Sequence, residues 1–179
     1  MNTTDFQDGV IIREATQADL VYLQDIELAA GALFPTERIP ADSAEFLDTT
    51  VIESSLAQHT LLVAEVEGKT VGFAVSLVVG QLLHLEEISV HPDYGRRGIG
   101  RTLMDAIIKL ASKHSLESVV LTTFSDIKWN GPFYQSLGFK TYPASDTPQW
   151  LQNILGNEEA IGMTQRIAMH RPSCGRTDS

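Results

Sequence analysis

One cysteine among 179 residues, Cys174, is all the thiol chemistry this chain holds. It permits neither an intrachain disulfide nor a cysteine-rich zinc site. The five histidines, at 59, 84, 91, 114 and 170, fall into no HExxH or paired-ligand spacing, so no resident metal is expected. Long apolar runs are missing too. Stretches such as residues 71–79 fall far short of the ~20 residues a membrane helix needs. The first nine residues are polar and carry Asp5 and Asp8, unlike a secretory leader. Basic residues are scarce, with 13 Lys and Arg against 23 Asp and Glu, for a formal net charge of −10. Phosphate contacts need a basic face, so this balance disfavours nucleic acid and anionic membrane as partners. It suits a cationic small molecule. The expectation is a cytoplasmic protein without a metal; a homodimer is allowed.

What is present fits one globular domain. Hydrophobic residues make up 43% of the chain and charged residues 20%, and a domain this long can bury roughly 70% of its unfolded surface. Residues 1–171 are expected to form that domain, with 172–179 a disordered polar tail. Residues 10–13 are a short apolar run. Thr16 can then cap a helix, with Asp19 favouring its first turn and Leu20, Leu23, Ile26, Leu28 and Ala30 near helical spacing up to Gly31. A loop with two prolines follows at 32–40. Asp42 or Ser43 can start a second helix through Leu47, Val51 and Leu56. Residues 61–66 and 71–79 read as a hairpin turning at Glu67-Gly68-Lys69. A further strand runs over 82–90.

The most informative stretch is 82–110, LLHLEEISVHPDYGRRGIGRTLMDAIIKL. Leu83 and Leu85 sit on odd positions, then Ile88 and Val90 on even ones. One face can bury both pairs only if a residue is inserted between them. That predicts a β-bulge near Glu86–Glu87, which would leave backbone groups unpaired for a ligand. A strand buried on both faces is the plainer alternative. After the turn at His91-Pro92-Asp93-Tyr94 comes Gly95-Arg96-Arg97-Gly98-Ile99-Gly100, and a helix with Ile99, Leu103, Ile107 and Leu110 on one stripe. Free N–H groups and the positive end of the helix dipole make such a glycine loop an anion site. Arg96, Arg97 and Arg101 add local charge to an acidic chain.

A dinucleotide fingerprint starting at Gly98 fails, because Leu103 stands where the third glycine belongs. A phosphate loop from Gly95 through Gly100 and Thr102 has Arg101 in place of its lysine, and no strand ending in Asp follows to hold Mg²⁺. A third reading is the pyrophosphate of coenzyme A. Here the chain resembles the GNAT N-acetyltransferase superfamily. In that family a strand ends in an apolar-x-Val-x-Pro phrase, matched by Ile88-Ser89-Val90-His91-Pro92. An Arg/Gln-x-x-Gly-x-Gly/Ala loop follows, matched at Gly98 and Gly100 but with Gly95 at its first position and Arg96 one residue later. Residues 118–124 resemble the fifth strand. Asn130 through Phe139 (NGPFYQSLGF) resembles the family's Asn…Phe-Tyr-x-x-x-Gly-Phe segment, shortened after Asn. The matched blocks span about residues 82–140.

The resemblance implies a mixed α/β (α+β) domain. Its central sheet would be mostly antiparallel, splayed between strands four and five and flanked by helices. It also implies an acetyl-CoA-dependent N-acetyltransferase that moves acetyl to a small primary amine by direct attack. A lysine-like amine has a pKa near 10.4, so losing its proton at pH 7 costs about 4.6 kcal/mol and calls for a positioned base. The bulge offers Glu86 and Glu87. The resemblance favours Glu86, with Glu87 expected on the opposite face. Backbone N–H groups near Ile88, Ser89 and Val90 can polarise the thioester carbonyl and, in the family, also bind the pantetheine arm. The loop Arg96, Arg97, Gly98, Ile99, Gly100 and Arg101 would hold pyrophosphate. The resemblance makes Tyr134 the acid at the leaving sulfur and places Asn130 on the coenzyme's amide arm. Trp129, Pro132 and Phe133 read as packing residues. Phe34, Glu37, Tyr142 and Trp150 are candidates for the amine pocket, while His84 and His91 read as solvated. Two alternatives stay open: a non-catalytic acyl-CoA-binding module, and acetylation of a protein amine.

Overall fold

The structure is a computed structural model that describes residues 9–39 and 47–173. One seven-stranded sheet runs through it in the order β1-β2-β3-β4-β5-β7-β6. The first strands are β1 (Val10–Glu14), β2 (Leu61–Val66), β3 (Lys69–Val79) and β4 (Leu82–Val90). They form antiparallel neighbours in chain order. The other strands are β5 (Ser118–Phe124), β6 (Lys140–Thr141) and β7 (Arg166–Pro172). β5 runs parallel to β4, and β7 lies antiparallel between β5 and β6. The sheet is therefore mostly antiparallel, with one parallel joint in its middle.

Both faces of the central strands are apolar, so helices cover both sides. Leu62, Ala64, Leu83 and Leu85 turn to one face and pack with Ile99, Leu103, Met104 and Ile107 of α3 (Ile99–Lys113). Leu61, Val63, Phe73 and Val75 turn to the other, against Leu23 and Ile26 of α1 (Leu20–Gly31) and Val51, Ile52 and Leu56 of α2 (Thr49–Ala57). α4 (Gly131–Ser136) brings Tyr134 to the α3 side. α5 (Gln149–Ala160) seats Leu151 on Val120 and Ala168.

Several expectations change. Asp19 sits at the head of α1 as foreseen, but Leu28 lies 60% exposed, so the buried stripe is Leu23 and Ile26. The second helix starts at Thr49, where the Asp48 side chain accepts from Thr50 N at 2.8 Å; Asp42 and Ser43 lie outside the described residues. Pro172 is the last residue of β7, and Ser173 N donates to Glu117 O at 3.0 Å. The tail foreseen from 172 thus leaves only 174–179, which lie outside the described residues. Among the described residues, no helix is long and apolar enough to cross a membrane.

Candidate active site

The parity break in β4 is a bulge. Val75 of β3 faces Glu87 and Ser76 faces Leu85, which leaves Glu86 as the inserted residue. Its effect on the side chains differs from the expectation. If Leu83, Leu85, Ile88 and Val90 share the α3 face, then His84, Glu86, Glu87 and Ser89 all share the other. The polar partners agree. His84 Nδ1 lies 2.9 Å from Glu86 Oε1, and Ser89 Oγ donates to Glu87 Oε1 at 2.7 Å. Glu87 is thus beside Glu86, not opposite it. Nor is His84 solvated: it is 3% exposed, with its ring edge-on to Trp150 at 5.0 Å.

Beyond the bulge β4 leaves its neighbour. β4 and β5 pair only at Leu82–Ser118, Leu83–Val119 and His84–Val120. From Leu85 onward the β5 side of β4 has no strand in register. His91 N donates to Val71 O of β3 at 2.8 Å. Alternation then turns the amides of Ser89 and His91 toward β3, and those of Ile88 and Val90 into the opening. Ser89, expected to contact the coenzyme, instead supports Glu87 through its hydroxyl.

The opening leads to the head of α3. His91 Nδ1 accepts from Asp93 N at 3.2 Å and caps the turn Pro92–Tyr94. A Cβ on Gly95 would meet Pro92 O at 3.0 Å, which accounts for glycine where the family pattern has Arg or Gln. Arg96 takes a left-handed φ of 61°, Gly98 caps α3 at 76°, and the first α3 bond runs from Thr102 N to Gly98 O. By helix geometry the N–H groups of Ile99, Gly100 and Arg101 precede that bond and point out of the helix end. Ile99's side chain is core, 2% exposed. Arg97 lies over Tyr94 at 5.8 Å, and Arg101 Nη2 donates to Ser136 Oγ at 3.0 Å.

On the other side of β4 a second group of residues gathers. Burial pushes the Glu87 carboxyl up to about 7, the Ser89 hydrogen bond opposes the shift, and Glu27 of α1 adds to it. Tyr134, from the α3 side, comes within the field of Glu87: burial raises its phenol and the Glu87 charge raises it further, so it keeps its proton across the working range. Arg166 of β7 acts on both groups in the opposite sense. Burial raises Glu27 as well, against the pull of Leu47 N, which donates to it at 3.0 Å. Phe34 lies 5.9 Å from both Phe124 and Trp129, and Arg166 lies over Phe124 at 4.5 Å. Trp129 is 48% exposed and Pro132 is exposed, so neither is a core residue. Phe133 is half-buried in the α3-side core. Asn130 opens α4, and its Nδ2 donates to Trp129 O at 3.0 Å.

Of the foreseen pocket residues, Phe34 joins this group. Trp150 packs on His84, Tyr142 stacks on His170 at 4.3 Å, and Glu37 is exposed. Sequence reasoning did not single out Glu27, Phe124 or Arg166. Among the described residues no three His, Cys, Asp or Glu side chains gather as for a metal ion.

A splayed mixed sheet, a bulged fourth strand and a glycine-headed helix at its end describe one known class. Residues 57–141 match the acetyltransferase (GNAT) domain family, and the chain belongs to the GNAT acetyltransferases. It is 32% identical over 109 residues to the Escherichia coli K12 enzyme [ribosomal protein bS18]-alanine N-acetyltransferase, covering 57% of this chain and 68% of that one. The crystal structure of the ribosomal-protein-S18-alanine N-acetyltransferase from Escherichia coli superposes with a TM-score of 0.67 at 24% identity, over 94% of this chain and 97% of that one. The PaiA N-acetyltransferase of Thermoplasma acidophilum, solved with coenzyme A, gives 0.64 at 17% identity, over 91% and 98%.

Proposed function

We propose that the chain transfers the acetyl group of acetyl-CoA to a primary amine by direct attack within a ternary complex. One observation carries the reading. Where β4 parts from β5, the amides of Ile88 and Val90, the Glu87 carboxyl and the Tyr134 phenol are gathered in one region. When bound there, acetyl-CoA supplies an activated acyl group and a thiolate leaving group. The protein supplies the rest. The Ile88 and Val90 amides donate to the carbonyl oxygen as it gains charge, and to the pantetheine arm. The N–H groups of Ile99, Gly100 and Arg101, with the charges of Arg96, Arg97 and Arg101, hold the pyrophosphate. Asn130 serves the coenzyme's amide arm. Tyr134, kept protonated, gives its proton to the leaving sulfur.

For the base we place Glu87 ahead of Glu86. Glu86 is engaged by His84 Nδ1, whereas Glu87 sits beside Tyr134's field with a pKa of about 7. A base tuned near the working pH is both ionised and strong enough to take the amine's proton, directly or through water. The acceptor arrives as a cation beside carboxylates. A small amine fits that requirement. The E. coli relative's named acceptor, an alanine of a ribosomal protein, supports the amino end of a polypeptide as the second reading.

The test is thiol release from acetyl-CoA with a panel of amines. Glu87→Gln should lower kcat/KM by ~10²-fold or more and abolish the rise in rate through pH 7. Glu86→Gln should lower it less than ~10-fold, and Tyr134→Phe should lower kcat with coenzyme binding unchanged. The reverse order between Glu86 and Glu87 would return the base to Glu86.

A further inference from the structure

On the amine side of the opening two carboxylates have neutral hydrogen-bond donors, and among the described residues the arginine whose charge acts on Glu87 is already paired. Glu27 is met by a neutral donor, the Leu47 N–H, and Glu87 by the Ser89 hydroxyl. Arg166, whose charge acts on Glu87 and Tyr134, is committed elsewhere. Arg166 gives Nε and Nη2 to the two oxygens of Glu158 at 2.9 and 2.8 Å, and Nη2 also reaches Thr122 Oγ1 at 3.1 Å. Its guanidinium face lies on Phe124. Arg38 is paired with Asp126 and donates to Thr164 Oγ1 at 3.4 Å. His84, on the same face, is engaged with Glu86, and Phe34, Phe124 and Trp129 add an aromatic wall.

A free amino acid brought to this place would set its carboxylate beside Glu87 and Glu27. Taking that charge out of water with no cation to receive it is costly, and like charges add to the cost. A neutral group next to the amine carries no such penalty and can pack on the aromatic wall.

Resting on Glu87 as the place where the amine is received, we propose that this site selects amines with no carboxylate beside the amino group. Amino alcohols, amino amides, arylalkylamines and polypeptide amino ends are accepted, and free amino acids are rejected. The rejection comes from unanswered charge rather than from shape.

The experiment compares L-alanine with L-alaninol and L-phenylalanine with L-phenylalaninol, by thiol release from acetyl-CoA. Each amino alcohol is about as basic at nitrogen as its acid, so basicity does not separate the pair. The alcohols should exceed the acids in kcat/KM by more than ~10-fold. Glu158→Gln, which frees the Arg166 guanidinium, should narrow that ratio by several-fold. The wild-type ratio stands on its own if this variant does not fold. Equal rates for acid and alcohol, or faster acids, would overturn the selection while leaving acetyl transfer intact. Thiol release neither with these amines nor with a peptide that begins in alanine, coenzyme A still binding, would remove acetyl transfer and the selection with it.

Discussion

Glu87 and Asp19 are two carboxylates with opposite settings. Asp19 accepts from Arg13 Nη1 and Nη2 at 2.8 and 2.9 Å, from Thr16 N at 2.7 Å and from Thr70 Oγ1 at 2.9 Å. Burial alone would raise it, but these donors outweigh burial and hold it well below the usual carboxylate range. Glu87 has one donor of its own, Ser89 Oγ, and burial wins. The two therefore act oppositely on stability. For Asp19 the folded value is depressed, so its contribution is present above the unfolded value near 4 and is lost as pH falls below it. For Glu87 the folded value is raised from 4.5 to about 7, so the folded chain holds the proton more tightly between those values, and stability falls as pH rises through that window. Glu87→Gln should therefore be nearly neutral to folding near pH 4.5 and stabilising at pH 8, by about 3 kcal/mol. Urea unfolding at the two pH values measures this, and an equal effect at both would refute it. A gain in stability with a loss of turnover is expected of a group kept charged for chemistry.

Single glycines decide how the elements of the site meet. At Gly131, the first residue of α4, a Cβ would lie 2.8 Å from Ser125 O and 2.9 Å from Phe124 O. Both are backbone atoms that cannot swing aside. Gly131→Ala should move α4 off the end of β5, lower Tm by ~5 °C, and lower kcat because Tyr134 lies one turn along the same helix. An unchanged Tm would show that β5 yields instead. β1 to β4 and α3 were legible because their apolar spacing is strong, and β4 has the bounds read from the residues alone; the bounds of β5 came with the resemblance, and β6 and β7 were not read at all. α5 was not legible. It lies between Pro148 and a polar stretch, and Leu151 is its one fully buried side chain, so its periodicity is weak. The burial of His84 depends on Trp150 from that helix, and no local pattern reports such a contact. The shared face of Glu86 and Glu87, by contrast, was implied by the same parity break that announced the bulge. It was missed because alternation was carried across the inserted residue. Glu27 and Arg166 stand in no motif; only the packing of α1 and β7 around β4 and β5 brings them to the site.

At the scale of the molecule, charge is sorted. The chain carries a net −10, yet Arg96, Arg97 and Arg101 stand within six positions at the head of α3. In the proposed reaction the two substrates thus meet fields of opposite sign, the coenzyme's pyrophosphate at the head of α3 and the amine beside the carboxylates. The sheet itself is nearly divided in two. β5 pairs with β7 along seven registered positions, and β3 with β4 along eight, but the halves are joined through three. That seam has a consequence in time as well as in space. Backbone amides at Ile88 and Val90 should trade hydrogen for deuterium quickly in the empty enzyme, while Ser89 and His91, turned to β3, trade slowly. Coenzyme A should slow the first pair and leave the second unchanged. Uniform exchange along β4, with or without the coenzyme, would show that the two halves close on each other in solution.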